Sequence, residues 1–170
     1  MTRLDRVSTV LERLLQAVVI ALVIILTTVV VVAVIYRKAG SSLVWYDEIA
    51  SILLAWLTYY GAALAALKRA HIGFDGLVRA MPPGWRLATF IFGEVCIVTF
   101  FAVLAWTGWV VLNVLSGDTL ISLTWVPVRL TQSVIPIGAV LFIVCQVVSA
   151  PRQWRDLRDG NPEAAGEGAR

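Results

Sequence analysis

Histidine is almost absent from this 170-residue sequence: there is one, His71. A membrane cytochrome that clamps haem between two histidines therefore cannot be built from this chain alone. Cysteine is nearly as scarce. Cys96 and Cys145 both lie in apolar runs and are not spaced as CxxC. That argues against a thiol–disulfide enzyme, a zinc site or a disulfide-stapled ectodomain, and predicts two small buried apolar side chains. Charge is thin as well, at 15% of residues, against about a quarter in a soluble domain. There is no P-loop, HExxH, GxSxG or GxGxxG. There is also no internal repeat of the kind that builds many secondary transporters.

What the sequence has in excess is apolar surface. Hydrophobic residues make up 59% of it, and the mean hydropathy is +0.85. One domain of this length cannot hide so much from water, so the composition points to an all-α, polytopic membrane protein. Leu14 to Tyr36 gives 23 residues without a charge, about 34 Å as a helix. Ile49 to Leu67 gives 19, Leu130 to Pro151 gives 22, and Leu87 to Gly117 is interrupted only by Glu94. A bilayer core about 30 Å thick needs roughly 20 apolar residues per helix. Four transmembrane helices are therefore predicted, at about 14–36, 49–67, 87–115 and 130–151. The first run is longer than a signal-peptide core and no A-x-A-like site follows it, so it is expected to remain as helix 1.

The charges that remain predict the orientation. Arg3, Arg6 and Arg13 precede helix 1, Lys68, Arg69, Arg79 and Arg86 lie between helices 2 and 3, and Arg152, Arg155, Arg158 and Arg170 follow helix 4. These eleven basic residues face three on the other side: Arg37, Lys38 and Arg129. The positive-inside rule then places both termini and the middle loop in the cytoplasm. It also explains the net charge of +3 by topology and contact with anionic membrane lipids rather than by nucleic acid. Residues 1–13 are expected to form an amphipathic segment along the interface, with Leu4, Val7, Val10, Leu11 and Leu14 on one face. Residues 152–170 are expected to be a disordered tail rich in Gly, Asp, Glu and Arg.

Few side chains are candidates for chemistry. Glu94 is the only acidic residue well inside a span, and burying a carboxylate there costs several kcal/mol unless it is paired or neutral. It is either a proton or cation site, or a structural carboxylate bonded to a neighbouring helix, a partner subunit or interfacial water. His71 sits in Lys68-Arg69-Ala70-His71-Ile72-Gly73-Phe74-Asp75, just beyond helix 2. A catalytic His–Asp pair is one reading, but no Ser or Cys nucleophile has a sequence context that supports a triad. The other is a cytoplasmic cap that orders the loop, with Asp75 bonding His71 or a backbone amide. Asp47 and Glu48 follow Trp45-Tyr46 at the start of helix 2. Acidic residues suit the positive end of a helix dipole, and the same pair could dock a partner. Gly61–Ala65 and Ala62–Ala66 are small-xxx-small pairs, which let helices approach closely. Pro127 and Pro136 bracket the start of helix 4 and imply a bend or a break there.

Taken in order, these segments resemble the small, four-helix, DctQ-like membrane subunit of tripartite ATP-independent periplasmic (TRAP) transporters. The resemblance runs through Trp45-Tyr46-Asp47-Glu48, Leu54-Ala55-Trp56-Leu57, Tyr60-Gly61-Ala62-Ala63, Lys68-Arg69-Ala70-His71-Ile72 and Asp75. It continues in Trp125-Val126-Pro127 and Ile135-Pro136-Ile137-Gly138, and covers about residues 10–150. Thr124-Trp125-Val126 is bulkier than the Leu/Ile-Pro lead-in expected at helix 4. The resemblance implies an accessory subunit in a bacterial inner membrane, with no cofactor and no catalysis. It implies that a large DctM-like membrane subunit carries the substrate, usually driven by sodium, and that a periplasmic binding protein captures an organic anion. Trp45, Asp47, Glu48, Trp56, Gly61 and Ala65 become candidate subunit-interface or docking residues. Lys68, Arg69, His71 and Asp75 become candidate structural residues of the cytoplasmic loop. The alternative is a self-sufficient four-helix proton-coupled transporter that uses Glu94, although such exporters are usually shorter and keep their carboxylate in helix 1, which is charge-free here.

Overall fold

The computed structural model describes residues 3–41, 43–68 and 82–159. They form α1 (Arg3–Lys38), α2 (Tyr46–Leu67), α3 (Pro83–Val114), a short α4 (Val128–Gln132) and α5 (Val134–Asp159). Among the described residues there is no β-strand, only an isolated bridge between Thr119 and Pro127. Among the described residues four helices are long and apolar enough to cross a membrane: those within Ser8–Lys38, Tyr46–Leu67, Leu87–Val114 and Val128–Pro151. Arg69, His71 and Asp75 lie outside the described residues.

The ends of these helices follow from local chemistry. No Pro or Gly interrupts α1, so its 36 residues run unbroken from Arg3, and the predicted interfacial segment is a continuation of the first span. Ser8, Leu15 and Leu22 are buried at seven-residue spacing, the seam of a left-handed helix pair. Leu11 packs on the core, while Val10 and Leu14 are more than half exposed. The outward stripe is thus as apolar as the inward one, as lipid allows. α1 stops where Gly40 takes φ +83°. The Ser41 amide donates to Tyr36 carbonyl at 3.0 Å and the Gly40 amide to Arg37 carbonyl at 3.2 Å, a Schellman end that needs a left-handed residue. α3 begins with proline in its first turn, where a missing N–H costs nothing.

The last span is broken at its start. Pro127 precedes α4, Ser133 interrupts the helix, and Pro136 lies in the first turn of α5. Pro136 has no N–H for the Gln132 carbonyl and its ring crowds that carbonyl, which favours the break at Ser133. At its other end α5 passes through Pro151 and continues to Asp159, eight residues beyond the predicted span. The tail expected from residue 152 onward is therefore helical at first.

The four long helices do not close into a ring. α1 packs on α2, α2 on α5, and α5 on α3, so the spatial order is α1–α2–α5–α3. The core lies along the α1–α2–α5 seams, where Leu15, Ala63, Ala66, Leu67, Phe142 and Cys145 pack together. Phe101 of α3 stacks on Phe142 with ring centroids 3.7 Å apart. Two glycines allow close approach. A Cβ on Gly138 would lie 2.8 Å from Tyr59 Cβ, and one on Gly108 would lie 2.8 Å from Ile135 Cγ2. Gly61, which the sequence singled out, has nothing within 4 Å of such an atom. Among the described helices α1 and α5 flank α2, and half-buried Gly61 has open space where a Cβ would stand. Cys145 is buried as expected, but Cys96 is exposed, because α3 is covered on one side only.

Candidate functional site

Polar contacts tie the row together near each end and inside it. At the end that carries the α1–α2 and α3–α4 connections, Glu48 lies in the first turn of α2. Its Oε1 accepts the Ile121 amide at 3.1 Å and its Oε2 accepts the Ser122 amide at 2.9 Å. These amides sit at the tip of a small hairpin. The Leu120 amide donates to the Val126 carbonyl and the Val128 amide to the Asp118 carbonyl, both at 3.0 Å. Leu120 is buried beneath the tip. One carboxylate thus satisfies two adjacent turn amides in charge-assisted bonds. Two helical turns further along α2, the Trp56 indole N–H donates to the Thr131 carbonyl at 3.0 Å. A helix end leaves carbonyls without intrahelical partners, and the indole takes one of them at the α4–α5 break. Asp47, beside Glu48, is exposed. At this end Ile121 is 92% exposed, Trp125 79% and Trp45 36%.

Inside the row, the Gln146 Nε2 of α5 donates to both oxygens of Glu94 on α3, at 3.1 and 3.0 Å. Gln146 is 4% exposed, and Glu94 is half-buried. One turn further, Ser149 Oγ donates to the Ala66 carbonyl of α2 at 3.1 Å. α5 therefore reaches α3 with an amide and α2 with a hydroxyl. At the opposite end, Lys68 Nζ lies 3.3 Å from Glu12 Oε1, and Gln16 Nε2 donates to the same oxygen at 3.2 Å. This ion pair joins the end of α2 to the beginning of α1. Among the described residues no three His, Cys, Asp or Glu side chains converge as a metal site would require.

A family model for the DctQ component of tripartite ATP-independent periplasmic transporters matches residues 26–156. The chain belongs to the DctQ family. No curated protein matches it. As a DctQ-family member with four span-capable helices, it is a multi-pass inner-membrane protein and the small membrane component of a TRAP transporter. The matched segment starts within α1 and ends within α5. It takes in Glu48, Trp56, Glu94 and Gln146, and leaves out Glu12.

The sequence reading of this DctQ-family chain placed Glu48 at a helix N-terminus but gave it no loop to hold. Ile121 and Ser122 lie 73 and 74 residues away, and one sequence carries no signal for that pairing. Gln146 was also passed over, although a signal existed. It is the only amide in the apolar run Val134–Ala150, and a polar side chain there needs a partner on another helix. Gly138, named only within the helix-4 lead-in, and Gly108 have no small residue at four-residue spacing to mark them as packing positions.

Proposed function

We propose that this chain is the accessory subunit that braces the large DctM-like subunit of a TRAP transporter during sodium-coupled uptake of an organic anion, a carboxylate delivered by a periplasmic binding protein. The observation that carries the reading beyond the family is the open α1–α2–α5–α3 row. A row with its outer helices uncovered makes a wall and not a channel, and a wall supports a moving neighbour. Among the described residues no inverted pair of broken helices surrounds a midplane site, as self-sufficient transporters arrange them.

In this reading both termini and the α2–α3 loop are cytoplasmic, supported by the eleven-to-three split of basic residues. The hairpin held by Glu48 then faces the periplasm, where Ile121, Trp125 and Trp45 are placed to meet the binding protein or the interface of the larger subunit. Asp47 and the half-buried Gly61 and Ala65 of α2 are further contact candidates. The loop containing Arg69, His71 and Asp75 belongs to the cytoplasmic side.

Reconstitution tests the proposal. Liposomes with both membrane chains and the binding protein should take up substrate under a sodium gradient, and omission of this chain should abolish uptake. Transport by this chain alone, with Glu94 as its proton carrier, would replace the proposal with the self-sufficient exporter. A cysteine placed at the exposed Ile121 should react with an impermeant maleimide from the periplasmic side.

A further inference from the structure

Arg129 is the one charged residue of α4, and it is exposed. Among the described residues its guanidinium has neither an ion pair nor a hydrogen bond. The acids of this end, Asp47, Glu48 and Asp118, are all described, and the Ile121 and Ser122 amides occupy Glu48. Trp56 fixes how deep this arginine lies. Its indole bonds the Thr131 carbonyl, and Trp56 stands eight residues past Glu48, the last charge before the run 49–67. Eight residues are about 12 Å of helix, and a helical side chain leans back toward the N-terminus. Thr131 therefore lies less than about 12 Å below the level of Glu48. Arg129, half a turn earlier in α4, lies between the two levels.

A cation at this depth does not stay in hydrocarbon, because its long stem lets the charged head reach outward to the interface. Leu130, the next residue, is 58% exposed, so the surface beside the stem is apolar. Headgroups fill the layer immediately outside the hydrocarbon, roughly 5–8 Å thick on each side. Their phosphates are the anions within reach. The guanidinium fork matches a phosphate through two parallel hydrogen bonds. A carboxylate of another protein could take the same fork, but α4 is only five residues long and gives a partner helix little to pack on. We propose that Arg129 binds the phosphate of a phospholipid in the adjoining leaflet, with the acyl chains passing Leu130. The bound headgroup holds the broken start of the last span at the membrane surface. This goes beyond the accessory-subunit reading and does not rest on it, because it needs only that the four helices cross the bilayer.

The test titrates the full chain, in detergent micelles, with dioleoylphosphatidylglycerol and counts bound lipid by native mass spectrometry. Arg129→Ala should weaken binding about ten-fold, the low end for a lost hydrogen bond to a charged group. Arg129→Lys keeps the charge without the fork and should lose only part of it. Lys38→Ala removes the same charge from another exposed position at this end and should leave binding unchanged. Dioleoylglycerol, with the same chains and no phosphate, should bind the unmodified chain no better than Arg129→Ala binds the phospholipid. Excess inorganic phosphate should not displace the lipid. Thermal unfolding in lipid-free micelles should be the same for every variant, which separates lost binding from lost folding. Equal lipid binding by Arg129→Ala overturns the inference. So does an equal loss in Lys38→Ala, which would mean diffuse charge attraction. Displacement by inorganic phosphate would assign Arg129 to a soluble anion instead. If Arg129→Ala keeps the lipid but loses the large subunit from the two-chain complex, the guanidinium serves a protein contact and the inference falls.

Discussion

α3 and α5 are nearly the same to a hydropathy scale and opposite in their surroundings. Their most apolar stretches have mean hydropathy 2.3 and 2.2, yet none of that stretch is buried in α3 and 44% is buried in α5. In water the difference would be visible, because the outward face would be polar. In lipid both faces are apolar, and the face that meets protein is marked by small and polar residues. α5 carries Gly138, Ala139, Cys145, Gln146 and Ser149 inward. Among the described side chains of α3, only Gly108 and Leu112 are buried. α5 is the central post of the row, and α3 is an edge still open to a neighbour.

The sharpest way to break this contrast is to shorten matched aromatics on the two helices. Phe142 is 5% exposed and stacks on Phe101, whereas Phe92 is 71% exposed. Phe142→Ala should destabilise the chain by about 3 kcal/mol, the low end for such truncations because the new surface meets lipid and not water. Phe92→Ala should stay within about 0.5 kcal/mol of the unmodified chain. Denaturant titration in mixed micelles, followed by tryptophan fluorescence, checks both. Equal losses would mean that α3 is as well packed as α5 within the chain.

Glycines give the next largest effect, and opposite signs. Alanine at Gly138 would put Cβ 2.8 Å from Tyr59 Cβ. Overpacking of this kind costs about 1–3 kcal/mol, offset by up to about 1 kcal/mol of helix propensity. A net loss near 1 kcal/mol is expected for Gly138→Ala in the same titration. Gly93→Ala on α3 meets nothing within 4 Å and should instead gain a few tenths of a kcal/mol, up to about 1. A gain at both sites would mean that the α2–α5 contact is looser than its geometry.

These pairs also explain what was legible beforehand. Four spans could be counted because a helix must satisfy its own backbone in lipid, and that requirement writes a run of apolar residues. The break before α5 could be placed because Pro136 acts locally. The order of helices in the row could not be read, because neighbours in a membrane are chosen by shape. Gly138 fits Tyr59 across a separation of 79 positions (138 − 59), and nothing near either residue announces the other. Glu94 was legible as an exception to the apolar rule, whereas its donor Gln146 is uncharged and leaves the charge-free run unbroken. Glu48 was legible as a helix-terminal acid, while its two amide donors belong to the backbone, which has no sequence signature.

Glu48 allows that last contrast to be tested against its neighbour. Glu48→Ala removes the acceptor for the Ile121 and Ser122 amides, and their hydrogen exchange should speed up by about ten-fold as the hairpin tip opens locally. Asp47→Ala, one residue away and exposed, should leave both rates unchanged. Exchange measured by mass spectrometry on the hairpin peptide distinguishes them. The same acceleration in both variants would assign the effect to the helix dipole rather than to the carboxylate contact.

The smallest effect is expected where α1 joins the row. Lys68 and Glu12 are 44% and 36% exposed at the side chain, so water and salt screen their attraction, and such pairs contribute about 0–1 kcal/mol. Lys68→Ala should therefore destabilise the chain by roughly 0.5 kcal/mol at low ionic strength, and the difference should vanish in 1 M salt, where the Debye length falls to about 3 Å. Leu15, fully buried a turn away on α1, would then carry the attachment of α1 to α2 by packing. A Lys68 effect that survives high salt would mean that the pair is shielded from water, and that the α1–α2 end of the row is covered as α5 is and not open as α3 is.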